Sequence, residues 1–218
     1  MCVDMSEAIQ PRKVKQKPSR SVEDTAAIYD ILDSAYVAHV GFSDPELGET
    51  FVLPVAYARD GNRILLHGST GSRLMRKLID GAMVCATVTI LDGMVAARTP
   101  FNSSMNYRSV MIFGKTYGIE GEAKIPALEI VSNHLIPGLW DVSREMTAKE
   151  YAQTAVIGLE LDDVTAKGRE GGSLDQDEAD SGLWAGQIPM VTKFEAPVPN
   201  EECIEMEIPD YIAKASQN

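Results

Sequence analysis

Residues 65–78 read LLHGSTGSRLMRKL, and this stretch carries the strongest local signal in the chain. Its apolar start predicts a short strand, and the glycine and hydroxyl residues that follow predict a turn into a helix. Leucine and methionine then recur at helical spacing, which gives that helix one apolar face. Gly81 favours the left-handed conformation at a helix end. The stretch therefore predicts a strand, a turn and a helix that stops near residue 80.

The charges on this helix are placed unusually. Arg73, Arg76 and Lys77 occupy its early turns, and no acidic residue precedes Asp80 in the helix. A helix N-terminus is partly positive, so cations there are unfavourable unless an anion lies among them. Backbone N–H groups, serine and threonine hydroxyls and a guanidinium are together typical of a phosphate site. The alternative is a basic surface helix whose charges are simply solvated.

Outward from this stretch, β-type patterns dominate. Apolar, β-branched segments predict strands over residues 36–42, 51–57, 63–67, 83–91, 94–97, 105–117 and 155–161, the last being the final strand. Asp92-Gly93 predicts a hairpin turn between two of them. Three antiparallel hairpins before residue 120 indicate a mainly β (α+β) fold whose sheet closes into a barrel, because closure removes exposed edges.

Helices are predicted at three further places. Ser21 followed by Asp24 predicts an N-cap and a helix that ends near Ser34. A stripe over residues 125–135 predicts a second helix, and Thr147 with Glu150 predicts a capping box for a third. Beyond Asp162, only residues 183–190 show an ordered pattern.

Composition suggests one domain with two extensions. Residues 1–20 are basic and predict an extended arm, either a disordered tail or an arm that wraps a neighbouring subunit. Residues 21–190 form the predicted domain, and residues 191–218 form an acidic C-terminal extension.

The net charge of −12 argues against nonspecific binding to nucleic acid or an anionic membrane. The three isolated cysteines indicate a reducing compartment, and with no signal peptide or long apolar run they predict a cytoplasmic location.

The common catalytic motifs are missing from the sequence. It contains no GxSxG, HExxH, Walker A or GxGxxG pattern, and its three histidines are scattered. These absences argue against a hydrolase triad, a metal site and a Rossmann sheet. The predicted ligand is therefore a phosphate-bearing molecule held on a β-barrel, without a metal.

Several blocks in their order along the chain carry a family resemblance. LLHGSTGSRLMRKL, MVCATVTILDGMVAAR, SMNYRSVMIFG and a late WAGQIP together resemble the FMN-binding split-barrel flavoproteins related to pyridoxamine 5′-phosphate oxidase. The chain is most similar to their flavin-nucleotide-binding branch, which includes nitroimidazole-resistance proteins. The resemblance implies an FMN-binding split β-barrel with flanking helices over residues 21–190. It also implies a homodimer with FMN at the subunit interface and an unknown small-molecule substrate.

The resemblance implies a set of cofactor-binding residues and leaves the catalytic residues unknown. They are Val52, Leu53, Pro54, Val55, Leu66, His67, Ser72, Arg73, Lys77, Thr87, Thr89, Asn106, Tyr107, Arg108 and Trp184.

Their roles follow from the family's motifs. Arg73 is the chief phosphate cation, with Arg76 or Lys77 as a second, and Leu66-His67 approaches the ribityl chain and phosphate. Residues 52–55 bring backbone amides to the ring edge, although Pro54 has no N–H to donate. Thr87 and Thr89 back the ring, residues 106–108 face the flavin or its substrate, and Trp184 closes the pocket from the other subunit.

Two departures from the family pattern narrow the function. Asn102 and Ser103 stand where many relatives have histidine, which argues against an imidazole acid or heme ligand at that point. Only Lys193 follows Trp184 as a basic residue near the site, so pyridoxamine phosphate is not the expected substrate.

Three functions remain open from the sequence. The leading hypothesis is an FMN-dependent oxidoreductase that passes electrons from NAD(P)H to a small organic acceptor, such as a nitro compound or quinone. A second is a flavin-binding or sensing module without turnover. A third is a heme-binding split barrel with a histidine ligand, such as His67 or His134.

Overall fold

The computed structural model describes residues 12–216, so Cys2 and the first part of the basic arm lie outside the described residues. The strands are β1 (Ser21–Val22), β2 (Val37–Asp44), β3 (Glu49–Asp60), β4 (Arg63–Ser69), β5 (Met83–Ala96), β6 (Ser104–Lys115), β7 (Tyr117–Gly118), β8 (Thr154–Glu160), β9 (Val164–Arg169) and β10 (Gly186–Pro189). The helices are α1 (Thr25–Asp33), α2 (Arg73–Ile79), α3 (Lys124–Leu135), α4 (Leu139–Val142), α5 (Ala148–Gln153) and α6 (Asp210–Ala215). None of the helices between residues 12 and 216 is long and apolar enough to cross a membrane.

All strand pairs are antiparallel and form one sheet. The strand order is β1-β9-β6-β5-β2-β3-β4-β8-β7, and β10 pairs with β5 beside this path. The pairing path is open, with β1 and β7 at its ends. A mainly β split barrel with flanking helices is therefore confirmed, whereas the expected closure of the sheet is wrong.

Two apolar cores lie on opposite faces of β4. The barrel interior contains Leu66 together with Leu32, Val40, Tyr57 and Leu78, all buried. A second core packs α3 against the other face, where Leu65 is buried with Leu128, Val131 and Val156. Because side chains alternate along a strand, His67 lies on the same face as Leu65 and points toward α3.

Several local predictions are confirmed. α2 begins at Arg73 and ends at Ile79. The β2–β3 hairpin turns between Asp44 and Glu49, which are paired in register. Both hydrogen bonds of the Thr147–Glu150 capping box are present at the start of α5. In each case the responsible interactions span few residues, so the local sequence contains them.

The hairpin predicted at Asp92-Gly93 is wrong. β5 continues from Met83 to Ala96, and only a register shift between Leu91 and Gly93 marks the site. Residues 93–96 pair with β10 on one side, and β6 flanks the other, which holds them in the sheet. Gly93 has φ +157°, and an added Cβ would lie 2.7 Å from the Ile188 carbonyl oxygen. The glycine therefore allows close approach of β10.

Two further predictions need correction. Ser21 does not cap a helix but belongs to β1, and Asp24 caps α1 by accepting a hydrogen bond from the Ala27 N–H at 3.1 Å. The strand over residues 155–161 is not the last, because β9 follows it and pairs with both β1 and β6. The sequence VTAKGR of β9 has only two alternating apolar residues, Val164 and Ala166, so its strand state depends on these long-range partners.

Gly158 tests the packing of β8 against β7. A Cβ at Gly158 would lie 2.4–2.6 Å from ring atoms of Tyr117, whose hydroxyl donates to Glu160 and accepts from Arg63. Because this ring is tethered, we expect Gly158→Ala to lower the free energy of unfolding by about 1–3 kcal/mol in urea titrations. Gly172→Ala is the control, since no atom lies within 4 Å of its added Cβ. Equal stability of the two variants would contradict this packing.

Candidate functional site

The α2 cradle, formed by Ser72, Arg73 and Lys77, lies against two carboxylates. The Arg73 guanidinium donates to Asp44 Oδ2 at 2.5 Å, and Lys77 Nζ lies 2.9 Å from Glu46 Oε2 and 3.7 Å from Asp44 Oδ1. The Asp44 side chain is buried. The hydrogen bond from Arg73 lowers the pKa of Asp44. The two predicted phosphate cations therefore already have carboxylate partners.

Sequence reasoning missed Asp44 as part of the site. The composition of residues 44–48 predicted a hairpin loop that includes Asp44. The structure places Asp44 at the end of β2, 29 positions from Arg73. What remains for an anion is the Ser72 hydroxyl, which makes no helix-cap hydrogen bond, the exposed part of Arg73, and Arg76. Arg76 is exposed and forms no ion pair with any of the described side chains. The cradle can thus accept an anion, with less excess positive charge than the sequence indicates.

An uncharged sheet face lies outside the barrel on β3, β2, β5 and β6. Directly paired residues of an antiparallel sheet share a face, so the pairing register defines this one. Its members are Val52, Pro54, Ala56, Val37, His39, Gly41, Cys85, Thr87, Thr89, Ser109, Met111 and Phe113. Val52 is 63% exposed and Met111 38%. None of its members is an Asp, Glu, Lys or Arg. Four predicted flavin residues therefore lie together on it, namely Val52, Pro54, Thr87 and Thr89.

Three other predicted residues point to the opposite side of their strands. Val55 and Leu66 are buried in the barrel interior. Leu53 lies on the same side of β3 as Val55 and is partly exposed. The side chains of Val55 and Leu66 hold the core, so only their backbone is left to contact a ligand.

His67 faces a cavity on the α3 side of β4. Gly68 lies on the other face, where an added Cβ would lie 2.8 Å from Met75 of α2. The structure therefore does not bring the His67 side chain to the α2 cradle. The cavity has a volume of about 760 Å³, a usual size for a small-molecule site. Its lining residues are His67, Ile125, Leu128, Ser132, Leu139, Trp140, Ser143, Arg144, Glu145, Met146, Ala148, Tyr151 and Thr154.

The His67 side chain is half-buried in this cavity, and its Nδ1 is unpaired. Its Nδ1 is inaccessible to solvent and has no hydrogen-bond partner among residues 12–216. Burial lowers the pKa of His67, so the ring is neutral at neutral pH. By contrast, His134 Nε2 lies 2.9 Å from the Ala35 carbonyl oxygen. An unpartnered buried polar group is costly, and His67 is therefore the structure's strongest candidate for a ligand-binding side chain.

The rim of the cavity carries an ion pair. Arg144 binds both carboxylate oxygens of Glu150, at 2.9 and 2.6 Å, and its side chain is 71% exposed. Glu150 also closes the capping box with Thr147. Most of the remaining wall is apolar or aromatic, including Trp140 and Met146. A large apolar ligand with a solvent-facing anionic edge matches this arrangement.

The predicted residues 106–108 lie in a second concavity, at the opposite end of β5. Phe42, near the cradle, pairs with Val84, whereas Asn106 pairs with Gly93. At about 3.3 Å per residue, the span from Val84 to Gly93 is roughly 30 Å. Arg108 here binds Asp92 at 2.7 Å. One chain therefore does not bring this group and the α2 cradle to the same flavin mononucleotide.

Trp184 precedes β10, which pairs with the last residues of β5. It is 69% exposed, and its ring lies over Gly186, where an added Cβ would be 2.7 Å from the ring. Within the described residues, Trp184 is therefore far more exposed than a core tryptophan. Its position leaves the ring available to a ligand or a second subunit.

Together these features define a split-barrel ligand-binding protein with a cradle, an uncharged sheet face and a separate cavity. The family model for pyridoxamine 5′-phosphate oxidase matches residues 24–168. The chain therefore belongs to the pyridoxamine 5′-phosphate oxidase family of split-barrel flavoproteins.

Solved structures refine this assignment. The FAD and heme binding protein from Mycobacterium smegmatis is 31% identical, with a TM-score of 0.87 over 91% of this chain and 98% of that one. A flavocytochrome from Azotobacter vinelandii is 35% identical, with a TM-score of 0.86 over 94% and 96%. A nitroimidazole antibiotic resistance protein from Bacteroides thetaiotaomicron, titled as putative, is 24% identical over 69% and 90%, with a TM-score of 0.56, and shares the fold. None of the curated proteins compared with the chain matches it.

Proposed function

We propose that this chain is a redox protein that holds both a flavin and a heme. The observation that carries the proposal is His67, an unpaired, neutral imidazole facing a cavity of about 760 Å³. Two structures that align with more than nine-tenths of the chain are titled as a FAD and heme binding protein and a flavocytochrome. The heme alternative from the sequence therefore joins the flavin hypothesis instead of competing with it.

The cavity residues fit a heme. His67 supplies an imidazole nitrogen in the neutral form that binds iron. Leu128, Trp140 and Met146 offer apolar and aromatic surface. Arg144 at the rim is a cation that a heme carboxylate would share with Glu150. When bound, heme supplies one-electron chemistry and flavin one- or two-electron chemistry. The residues of the chain hold these groups, exclude water and keep His67 deprotonated.

The flavin proposal rests on the cradle and the uncharged sheet face. Ser72, Arg73 and Arg76 offer a hydroxyl and two guanidinium groups to a phosphate, and Thr87 and Val52 lie on an exposed surface suited to a planar ring. FMN remains the flavin predicted from the sequence, but FMN and FAD share the phosphate next to the ribityl chain. Chromatography of the flavin released by heat identifies which one the protein retains.

We further propose that the uncharged sheet face is the centre of a homodimer interface. Interface centres are depleted of charged residues, and the members of this face include no Asp, Glu, Lys or Arg. Charges border it, since the Arg12 guanidinium lies 3.9 Å from the ring centroid of Phe113 and Lys167 pairs with Ser109. A two-fold partner also offers a way for the residues near Asn106 and those near Arg73 to approach one flavin. Sedimentation equilibrium of the wild type and Val52→Lys tests this, and a wild-type monomer would contradict it.

Turnover is a further part of the proposal. Electrons from NAD(P)H would reach a small organic acceptor through the flavin, as the family resemblance implies. Flavin bleaching by NADH or NADPH under anaerobic conditions, followed by recovery with an acceptor, supports turnover. No bleaching with either donor would leave a flavin-binding module without this activity.

Anaerobic illumination with EDTA tests whether both groups act in one protein. Light with EDTA reduces free or bound flavin without a protein donor. We expect the heme absorption bands to change to the reduced form as the flavin absorption falls in the same sample. Flavin loss with no change in reconstituted heme would contradict a shared redox role.

The lowered pKa of His67 predicts how heme affinity depends on pH. A proton competes with iron for the imidazole, and burial shifts this competition to lower pH. Heme affinity is therefore expected to stay constant between pH 8 and about 6.5, the usual histidine pKa, and to fall only below it. Hemin titrations across this range measure the profile. A fall that begins above pH 7 would show that His67 is exposed to water.

A further inference from the structure

A second concavity, here called the Arg169 groove, lies between β1, β6 and β9. Its volume is about 1140 Å³. Its lining residues include Arg20, Asp92, Asn106, Tyr107, Arg108, Arg169, Glu170, Leu174 and Gln187. None of these belongs to the α2 cradle or to the His67 cavity. Because Asn106, Tyr107 and Arg108 are among the predicted flavin residues, the inference drawn from this groove rests on the proposed flavin function and extends it.

Arg169 is a buried cation without a carboxylate partner. The residue is only 8% exposed, and its guanidinium donates to the Asn106 side-chain oxygen and to the carbonyls of Gly171 and Gly172. These acceptors are all neutral. Burying a charge with no counter-ion is unfavourable, and charged side chains are rarely buried unless paired.

Arg20 adds a second positive charge to the same groove. It lines the groove from the segment next to β1 and forms no ion pair with any side chain that the structure describes, a set that excludes Glu178. Burial and the charge of Arg20 lower the pKa of Arg169, which places the two guanidinium groups in the same electrostatic environment. Two adjacent cations repel each other. A bound anion would weaken this repulsion and would supply the missing counter-ion.

The other charges in the groove do not supply this counter-ion. Asp92 is already bound by Arg108 through both carboxylate oxygens, at 2.7 and 3.0 Å. Glu170 is exposed and forms no ion pair within the described part of the chain. Among the side chains that the structure describes, Arg20 and Arg169 therefore have no carboxylate partner, although acidic residues outnumber basic ones in the sequence by 32 to 20.

The groove also indicates the kind of anion. Guanidinium groups bind phosphate oxygens in a bidentate manner. The volume of about 1140 Å³ greatly exceeds the needs of a free phosphate. Tyr107 and Leu174 offer apolar contact, and the amides of Asn106 and Gln187 offer hydrogen bonds beside the cations. This combination suits a nucleotide whose phosphate or pyrophosphate lies at the two arginines.

We propose that the Arg169 groove binds the phosphate groups of a nucleotide between Arg20 and Arg169. Two sources share this chemistry: the adenosine diphosphate part of a flavin dinucleotide, and a nicotinamide nucleotide that donates electrons. The family resemblance predicts that Asn106 and Arg108 face the flavin or its substrate. Both residues line the groove, so they lie beside the proposed phosphate site.

Arg20→Gln is the test variant, and Lys15→Gln is its matched control. Both remove one positive charge from the same N-terminal segment, but only Arg20 lines the groove. Because Arg20 repels Arg169, its removal is expected to leave the thermal unfolding midpoint of the ligand-free protein unchanged or higher. A purely structural role for Arg20 would lower that midpoint.

Flavin affinities distinguish the first source. If the groove holds part of a flavin dinucleotide, the wild type binds FAD at least 10-fold more tightly than FMN, and Arg20→Gln removes this preference. Lys15→Gln keeps it. FMN affinity stays unchanged in both variants, which separates this result from any failure of the flavin cradle.

Titration of the FMN-loaded protein with ADP and NADPH distinguishes the second source. If FAD and FMN bind equally, we expect Arg20→Gln to weaken ADP and NADPH binding at least 10-fold by calorimetry, and Lys15→Gln to change it less than 2-fold. The proposal is overturned if Arg20→Gln alters neither the preference for FAD nor the affinity for ADP and NADPH. Heme and FMN binding would remain intact in that outcome.

Discussion

Replacing His67 with alanine is expected to abolish specific heme binding while the protein still binds flavin. The wild type should give a sharp Soret band on titration with hemin, and His67→Ala only the broad absorption of loosely bound hemin. The physical reason is that His67 is half-buried at the cavity wall with Nδ1 unpaired and carries the imidazole that the cavity offers to iron. A loss of affinity of at least 100-fold is expected.

His134→Gln is the matched control for this experiment. His134 packs near Tyr36 and Tyr57, and one ring nitrogen already lies at hydrogen-bond distance from the Ala35 carbonyl. Glutamine retains an N–H for this carbonyl, so the control should keep the Soret band. Heme binding that survives in His67→Ala but disappears in His134→Gln would contradict our account, because it would identify His134 as the heme ligand.

Removing Arg73 is expected to weaken flavin binding about 10- to 100-fold, the range for one hydrogen bond to a charged group. The same change should also destabilise the fold, because it leaves the buried Asp44 carboxylate without its main partner. The two effects separate in the double variant Arg73→Ala/Asp44→Asn. This variant should regain stability in urea titrations, while its flavin affinity stays as low as that of Arg73→Ala.

A control for charge alone is Lys149→Ala, an exposed cation on α5. It should change neither flavin affinity nor stability measurably. Full recovery of flavin affinity in the double variant would show that Arg73 serves only to neutralise Asp44. In that case the phosphate would have to bind elsewhere.

The sequence predicted most of what depends on neighbouring residues. α2, the β2–β3 turn and the capping box of α5 all arise from contacts within a few positions, and each is confirmed. The order of the sequence blocks that resemble the family then predicted the family, which the match over residues 24–168 confirms. The overall fold followed from the resemblance more than from any single pattern.

Long-range pairing explains the errors. Gly93 lies in an unbroken strand because β10, more than 90 positions later, pairs beside it. β9 is a strand because β1 and β6 flank it, although only Val164 and Ala166 in its own sequence are apolar. A local pattern contains no information about such partners, and both predictions failed for this reason.

For the candidate site, too, the sequence predicted individual residues but not their long-range contacts. The sequence identified Arg73, but the carboxylate that pairs with it comes from a different hairpin. It also placed His67 beside the phosphate, whereas the alternation of β4 directs the side chain to the α3 cavity. Arg169 escaped notice because only the fold shows that it is buried and lacks a counter-ion.

The central claim is that one chain holds a flavin and a heme, and the most direct test measures both in one sample. The purified full-length protein is supplied with flavin and hemin, passed through a desalting column and assayed for each. Released flavin is quantified by fluorescence and heme by the pyridine hemochrome method. We predict close to one flavin and one heme per chain. Flavin without heme, after this loading, would contradict the account.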